Sequence, residues 1–207
     1  MPTAWLLASA VIGYLLGSLP FGYLVARAHG VDIFKVGSGN PGATNVKRTL
    51  GARAGNTVLV LDVVKGALAA AWPLVPLLNA PDPRLAGVVG VIAAVLGHSF
   101  SVFTRFRGGK GVATALGIAL ALSWKAGLAM VLIWIVVAAV TRYSSLAAMI
   151  AMVAGPALFG VFGTHMQNEF AIAMCVIVLF KHMPNLKRLL RGEEPRIGES
   201  KANADGS

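Results

Sequence analysis

The run 37–48, Gly-Ser-Gly-Asn-Pro-Gly-Ala-Thr-Asn-Val-Lys-Arg, sets Gly37, Gly39 and Gly42 among the donors Ser38, Asn40, Thr44 and Asn45 and closes on Lys47 and Arg48. This is chemistry suited to an anion. Glycine admits backbone N–H groups close to a phosphate, hydroxyl and amide side chains add donors, and Arg48 offers a planar charged fork. A helix beginning at about Pro41 would aim its free N–H groups and positive dipole end at the same place.

A second cluster reads Arg105-Phe106-Arg107-Gly108-Gly109-Lys110-Gly111-Val112-Ala113-Thr114, and a third reads Lys181-His182-Met183-Pro184-Asn185-Leu186-Lys187-Arg188. The turn around Lys110 resembles a phosphate-binding turn that opens a helix. It is not a nucleotide-hydrolysing P-loop, because glycine follows Lys110 where a hydroxyl is needed and the first glycine is missing. Taken alone, these cations also suit lipid headgroups and topology, and His182 suits an interfacial anchor at a helix end. Glycines on both sides of Lys110 favour binding, since topology needs no close backbone approach.

Other reactive residue types lack the right company. His98 and Ser99 could be a base and nucleophile, but neighbours on a helix point apart and no acidic partner is evident, so no Ser-His-Asp triad is expected. His29 and His165 read as interfacial. Cys175 lies in an apolar run without a cationic neighbour, which predicts an inert thiol and no disulfide or thiolate metal site. Few carboxylates accompany the polar clusters, so neither metal nor cofactor is expected.

These clusters need a membrane scaffold to hold them. At 207 residues, the chain is 57% hydrophobic and 13% charged, against roughly 25% charged for soluble domains. An all-α integral membrane protein follows. Its net charge of +10 raises the question of nucleic acid, but the cations lie in short segments between apolar runs instead of on one folded face, so nucleic acid is not the expected partner. Seven transmembrane helices are predicted, at about 4–26, 57–78, 85–103, 111–122, 126–140, 146–162 and 170–180. Gly17-Ser18-Leu19-Pro20 should kink the first, and Ser123-Trp124-Lys125 separates the fourth from the fifth. The first run has no charge before Arg27, so it reads as a retained helix with its N-terminus outside, not a signal peptide. Residues 27–55 form a long polar connection whose stretch 31–36 is amphipathic enough to lie along the interface. Asp62 and Lys65, at i,i+3 within the second span, either pair with each other or brace the glycine loop.

Charge sets the orientation. Of the 18 Lys and Arg, only Arg84 and Lys125 fall in predicted outer segments, whereas 15 fall in inner segments and the tail and Lys65 lies in a span. That asymmetry places the C-terminus and all three polar clusters in the cytoplasm. The composition becomes that of a disordered tail from Gly192 onward.

Five stretches, in order, carry a specific resemblance: Gly37 to Arg48; Asp62-Val63-Val64-Lys65-Gly66; Gly97-His98-Ser99-Phe100; Phe106 to Thr114; and His182 to Leu190. Together they resemble the bacterial acyl-phosphate:glycerol-3-phosphate acyltransferase family, PlsY. The resemblance runs from the first helix to about Ile197. It implies one seven-helix domain over 1–197, with 198–207 left as a disordered tail. It also implies a multi-pass protein of the bacterial cytoplasmic (inner) membrane with its active site at the cytoplasmic face. The implied reaction moves a fatty acyl group from acyl phosphate to the sn-1 hydroxyl of glycerol 3-phosphate, giving lysophosphatidic acid and phosphate. No histidine here is followed by aspartate five positions on, unlike the His-x4-Asp acyltransferases.

Carried over residue by residue, the resemblance puts Lys110, His182, Arg48 and Asn185 in catalytic positions. It puts Ser38, Gly39, Asn40, Thr44, Asn45, Gly108, Gly109 and Ser145 in substrate-binding ones. Leu146 follows Ser145, so any hydroxyl the family uses just beyond that serine is absent. The expected partners are acyl phosphate, glycerol 3-phosphate and membrane lipid, with no obligate protein partner evident. Two mechanisms remain open: the donor's own phosphate takes the hydroxyl proton, or His182 does. A small transporter of an anionic metabolite is the competing class, but it should carry polar groups at mid-bilayer and internal repeats, and the glycine loop does not recur.

Overall fold

Pro20 breaks the first apolar run where expected: in the computed structural model, α1 (Pro2–Ser18) stops before it and α2 (Phe21–Ala28) starts after it. The structure describes residues 2–71 and 82–198. Along the described chain follow α3 (Ala43–Leu50), α4 (Ala52–Ala71), α5 (Pro83–Ser99), a 3-10 turn (Val102–Thr104), α6 (Val112–Leu122), α7 (Trp124–Thr141), α8 (Ser144–Phe162) and α9 (His165–Leu190). No strand occurs among the described residues. The expected end of the second span and most of the turn before Pro83 lie outside them.

Among the described residues, six segments are long and apolar enough to cross a membrane: Thr3–Ala28, Ala52–Ala71, Pro83–Thr104, Trp124–Thr141, Ser144–Phe162 and His165–Leu190. The fourth expected span, α6, has eleven residues and falls short. Its position has consequences. Gln167 Nε2 donates to Leu122 O at 2.9 Å and Ser123 Oγ to Phe162 O at 3.0 Å, so the C-terminus of α6 is level with the end of α8 and the start of α9. Eleven residues rise only ~16 Å from there. The glycine–lysine turn at the other end of α6 is therefore sunk within the bundle, with Val95 of α5 and Val178 of α9 beside Gly111.

Many large apolar side chains face outward, while Phe159, Phe170, Ile118 and Met174 fill the core. Val60 and Leu68 of α4, Val136 and Val140 of α7 and Val176 and Phe180 of α9 are exposed, forming a surface suited to acyl chains. Inside, a Cβ on Gly66 would overlap the carbonyl of Thr114, and one on Gly117 would overlap that of Val63. Backbone contact between α4 and α6 thus fixes where the turn before α6 lies.

Three expectations need correction. The connection 27–55 is only partly loop: α4 begins at Ala52, α3 occupies its middle, and 31–36 is packed inward around a turn at 33–35. Ile33 explains the last point, because it is buried with Ala26, Val46 and Val58 in a core of its own. The segment 181–190 does not follow the last helix but continues it, with Pro184 inside α9. Lastly, the chain after Gly192 is not all free tail. Ile197 N donates to Arg142 O at 2.7 Å, and Arg142 donates back to Ile197 O at 2.9 Å. Of the expected tail 198–207, only Gly198 is described.

Candidate active site

The glycine loop is held from within. Gly37 and Gly39 adopt φ of 59° and 67°, a region that costs little only without a Cβ. Asn45 is buried, accepts from Ser38 N at 3.0 Å and donates to Val36 O at 3.1 Å. Asn40 accepts from Gly42 N at 2.9 Å, shaping the entry to α3, which begins at Ala43 instead of near Pro41. Both ends of the Asn45 amide are thus engaged by the loop itself. Ser38 and Thr44 stay exposed, and Arg48 follows Thr44 one turn along α3. Thr44 Oγ1 lies 3.4 Å from Ser144 Oγ, bringing α3 to the start of α8.

Lys110 occupies the sunken turn. Its neighbours in charge are Glu194, Arg188, Arg48 and Lys181. Burial first, and then the three cations, bring its pKa down from 10.5 to about 8, against the opposing pull of Glu194. His182, on α9, is buried, with Nδ1 2.8 Å from Val178 O. That contact places a proton on Nδ1, so in the neutral ring Nε2 is left to accept.

The carboxylate of Glu194 completes the arrangement, and sequence reasoning passed over it as tail. Oε1 accepts from Ser145 Oγ and from Asn185 Nδ2, each at 2.6 Å, and Oε2 accepts from Arg188 Nε at 2.8 Å. Burial alone would raise its pKa, but the hydrogen bonds from Ser145 and Asn185 and the charge of Arg188 hold it below the ordinary 4.5. The available signal was Glu193-Glu194 itself, an acidic pair amid a run of cations. Asn185 Oδ1 stays buried without a hydrogen-bond partner among the described residues.

One end of the bundle therefore brings Ser145, Asn185 and Arg188 onto the Glu194 carboxylate, with Lys110 and His182 as its neighbours in charge and Arg48 as a further neighbour of Lys110. Its excess of cations suits a phosphate ester. The acidic partner judged absent for His98 is in fact present: Asp62 Oδ1 lies 3.6 Å from His98 Nδ1. A triad still does not form, because Ser99 Oγ has no hydrogen-bond partner among the described residues and so no base.

Residues 7–192 match the family model described as glycerol-3-phosphate acyltransferase. The chain belongs to the glycerol-3-phosphate acyltransferase family. Over 193 residues it is 46% identical to the glycerol-3-phosphate acyltransferase of Jannaschia sp. (strain CCS1), covering 93% of each chain. It is 44% identical over 208 residues to that of Rhodospirillum rubrum, covering 99% of this chain and 96% of the relative. Among solved structures, the crystal structure of PlsY (YgiH), an integral membrane glycerol 3-phosphate acyltransferase, matches in its glycerol 3-phosphate form. The TM-score is 0.85 at 38% identity, over 93% of this chain and 96% of that one. The lysophosphatidic acid form matches with a TM-score of 0.83 at 37% identity, over 93% of this chain and 95% of that one. The five stretches of the resemblance thus lie in a chain whose backbone follows an acyltransferase solved in acceptor and product forms.

Proposed function

We propose that the protein transfers a fatty acyl group from acyl phosphate to the sn-1 hydroxyl of glycerol 3-phosphate, releasing lysophosphatidic acid and inorganic phosphate. The observation that carries this reading is that half-buried Lys110 has three further cations, Arg48, Arg188 and Lys181, as its neighbours in charge, beside the buried His182 and Asn185, in a chain of this family. Both substrates are phosphates, and a cation-rich, part-desolvated pocket neutralises them far better than water does.

In this reading Arg48, Lys110, His182 and Asn185 hold glycerol 3-phosphate together with Ser38. Thr44 and the Gly108–Gly109 turn receive the acyl phosphate, and its chain lies between helices. The acceptor hydroxyl oxygen attacks the acyl carbon and the bond from that carbon to the phosphate oxygen breaks. The departing phosphate carries away the hydroxyl proton. An acyl phosphate already has a good leaving group, so alignment and charge neutralisation supply the rate without a covalent enzyme intermediate. His182, anchored through Nδ1, positions the acceptor with Nε2.

The membrane arrangement belongs to the same proposal. The short α6 counts as a seventh crossing, the N-terminus lies outside, and the site opens to the cytoplasm of a bacterial inner-membrane protein. The excess of cations in the segments at the site's end of the bundle supports this orientation.

The test uses purified protein in mild detergent with palmitoyl phosphate and labelled glycerol 3-phosphate, and reads lysophosphatidic acid and phosphate. Acyl-CoA and acyl carrier protein thioesters replace the donor in parallel, and Lys110→Ala serves as the control. Product from acyl phosphate alone, lost in the control, is expected; no product from a folded sample overturns the reading. A His182→Gln variant distinguishes the two proton routes, because near-full turnover removes His182 as the base.

A further inference from the structure

Beneath the glycine–lysine turn lies a group of charged residues that the reaction above does not use. Asp62 and Lys65 on α4 are 2% and 3% exposed and pair at 2.7 Å, with His98 of α5 beside Asp62. Charges this deep in an apolar bundle are costly unless they are paired, and they commonly mark a functional element. Two observations say which element. Lys65 Nζ donates to Leu19 O at 2.8 Å, the carbonyl exposed by the break at Pro20. On the other side, His98 meets the turn twice: its carbonyl accepts from Gly109 N at 3.0 Å, and its ring packs against the Gly109 backbone. A Cβ at Gly109 would overlap His98 Nε2 and come within 2.9 Å of Cε1, and only the His98 ring stands among its three nearest atoms.

The chain of contacts therefore runs from the α1–α2 break through Lys65, Asp62 and His98 to Gly109, one residue from Lys110. α2 carries it on to the other loop, since a Cβ on Gly22 would overlap the carbonyl of Pro41. We propose that His98, held by the Asp62–Lys65 pair, is a positioning residue for the phosphate-binding turn. Its ring sets the height of the Gly108–Gly109 backbone and so the place of the Lys110 ammonium. The inference rests on the acyltransferase reading. A residue that only held the fold would lower stability without separating the kinetic constants.

The experiment measures initial rates against each substrate, together with thermal unfolding, for the wild type, His98→Ala, His98→Asn, Gly109→Ala and the double variant His98→Ala with Gly109→Ala. Asparagine keeps a donor near Nδ1 but removes the ring edge. With the wild type active, His98→Ala is expected to raise KM about tenfold or more both for acyl phosphate, which the Gly108–Gly109 turn receives, and for glycerol 3-phosphate, which Lys110 holds, while kcat changes less than about threefold. His98→Asn should recover little of that loss. Gly109→Ala alone should be inactive or nearly so, and removal of the His98 ring in the double variant should restore at least about tenfold of its kcat/KM, because the Cβ gains the vacated space.

Unchanged KM in His98→Ala, or a double variant no better than Gly109→Ala, overturns the proposal. So does the failure of both His98 variants to fold, which would make the residue a strut of the fold. An inactive wild type would instead sink the acyltransferase reading itself, so the two failures are distinguishable.

Discussion

At the scale of single residues, Lys110 and Glu194 lead to opposite pH behaviour. Lys110 is charged below about pH 8 and neutral above it. Phosphate capture needs the charged form, so kcat/KM for glycerol 3-phosphate in the free enzyme should fall about tenfold per pH unit above about 8. Lys110→Arg, which stays charged, should lack that limb even if its rate is lower, and a pH–rate profile of both proteins checks it. Glu194 has a lowered pKa, so its contribution to stability is complete above its ordinary 4.5 and is lost as pH falls through the folded value. Glu194→Ala strands Arg188 and frees Ser145 and Asn185. It should cost about 2 kcal/mol, below the range for fully buried pairs because Arg188 is 34% exposed, and the unfolding midpoint should fall accordingly. Activity should drop with it, since Asn185 loses the partner that orients it. Lys110 was legible in the sequence because glycines flank it. Glu194 was not, because its role depends on chain reversal after α9, which leaves no trace in local composition.

At the scale of elements, α6 controls the site through its length and its contacts. Its eleven residues begin deep in the bundle, and its backbone touches α4 at Gly66 and Gly117. Gly117→Ala would bring a Cβ within 2.7 Å of the Val63 carbonyl carbon, and forcing α6 away should cost about 1–3 kcal/mol. Because α6 carries Lys110 at its head, activity should fall further than stability alone explains. Gly87→Ala is the matched comparison. Gly87 lies in α5 with no described residue within 4 Å of an added Cβ, so the change should stabilise the protein by about 0.4–1 kcal/mol and leave activity alone. Thermal unfolding beside initial rates separates the two outcomes. The break at Pro20 and the division at Ser123 were readable, since proline and a polar interruption act locally. The continuation of α9 through Pro184 was not, because neighbouring helices tolerate the lost hydrogen bond.

At the scale of the whole molecule, hydropathy and charge gave an ordered list of crossings without their depths. Six are long enough to span, while the depth of α6 emerges only from contacts such as Gln167 to Leu122, which no periodicity encodes. Orientation is the remaining property of the whole, and it is testable with the chain's single cysteine removed. In a Cys175→Ala background, Thr164→Cys reports the turn between α8 and α9, and Gly192→Cys reports the turn after α9, at the far end of a 26-residue helix. The proposed orientation, drawn from charge, has the first outside and the second, next to Arg188 and Arg191, inside. A membrane-impermeant maleimide should therefore label Thr164→Cys in intact cells, and Gly192→Cys only after the membrane is opened. The reverse pattern would put the cation-rich site outside, where an acyl phosphate and glycerol 3-phosphate made in the cytoplasm could not reach it, and the proposed reaction would fall with the topology.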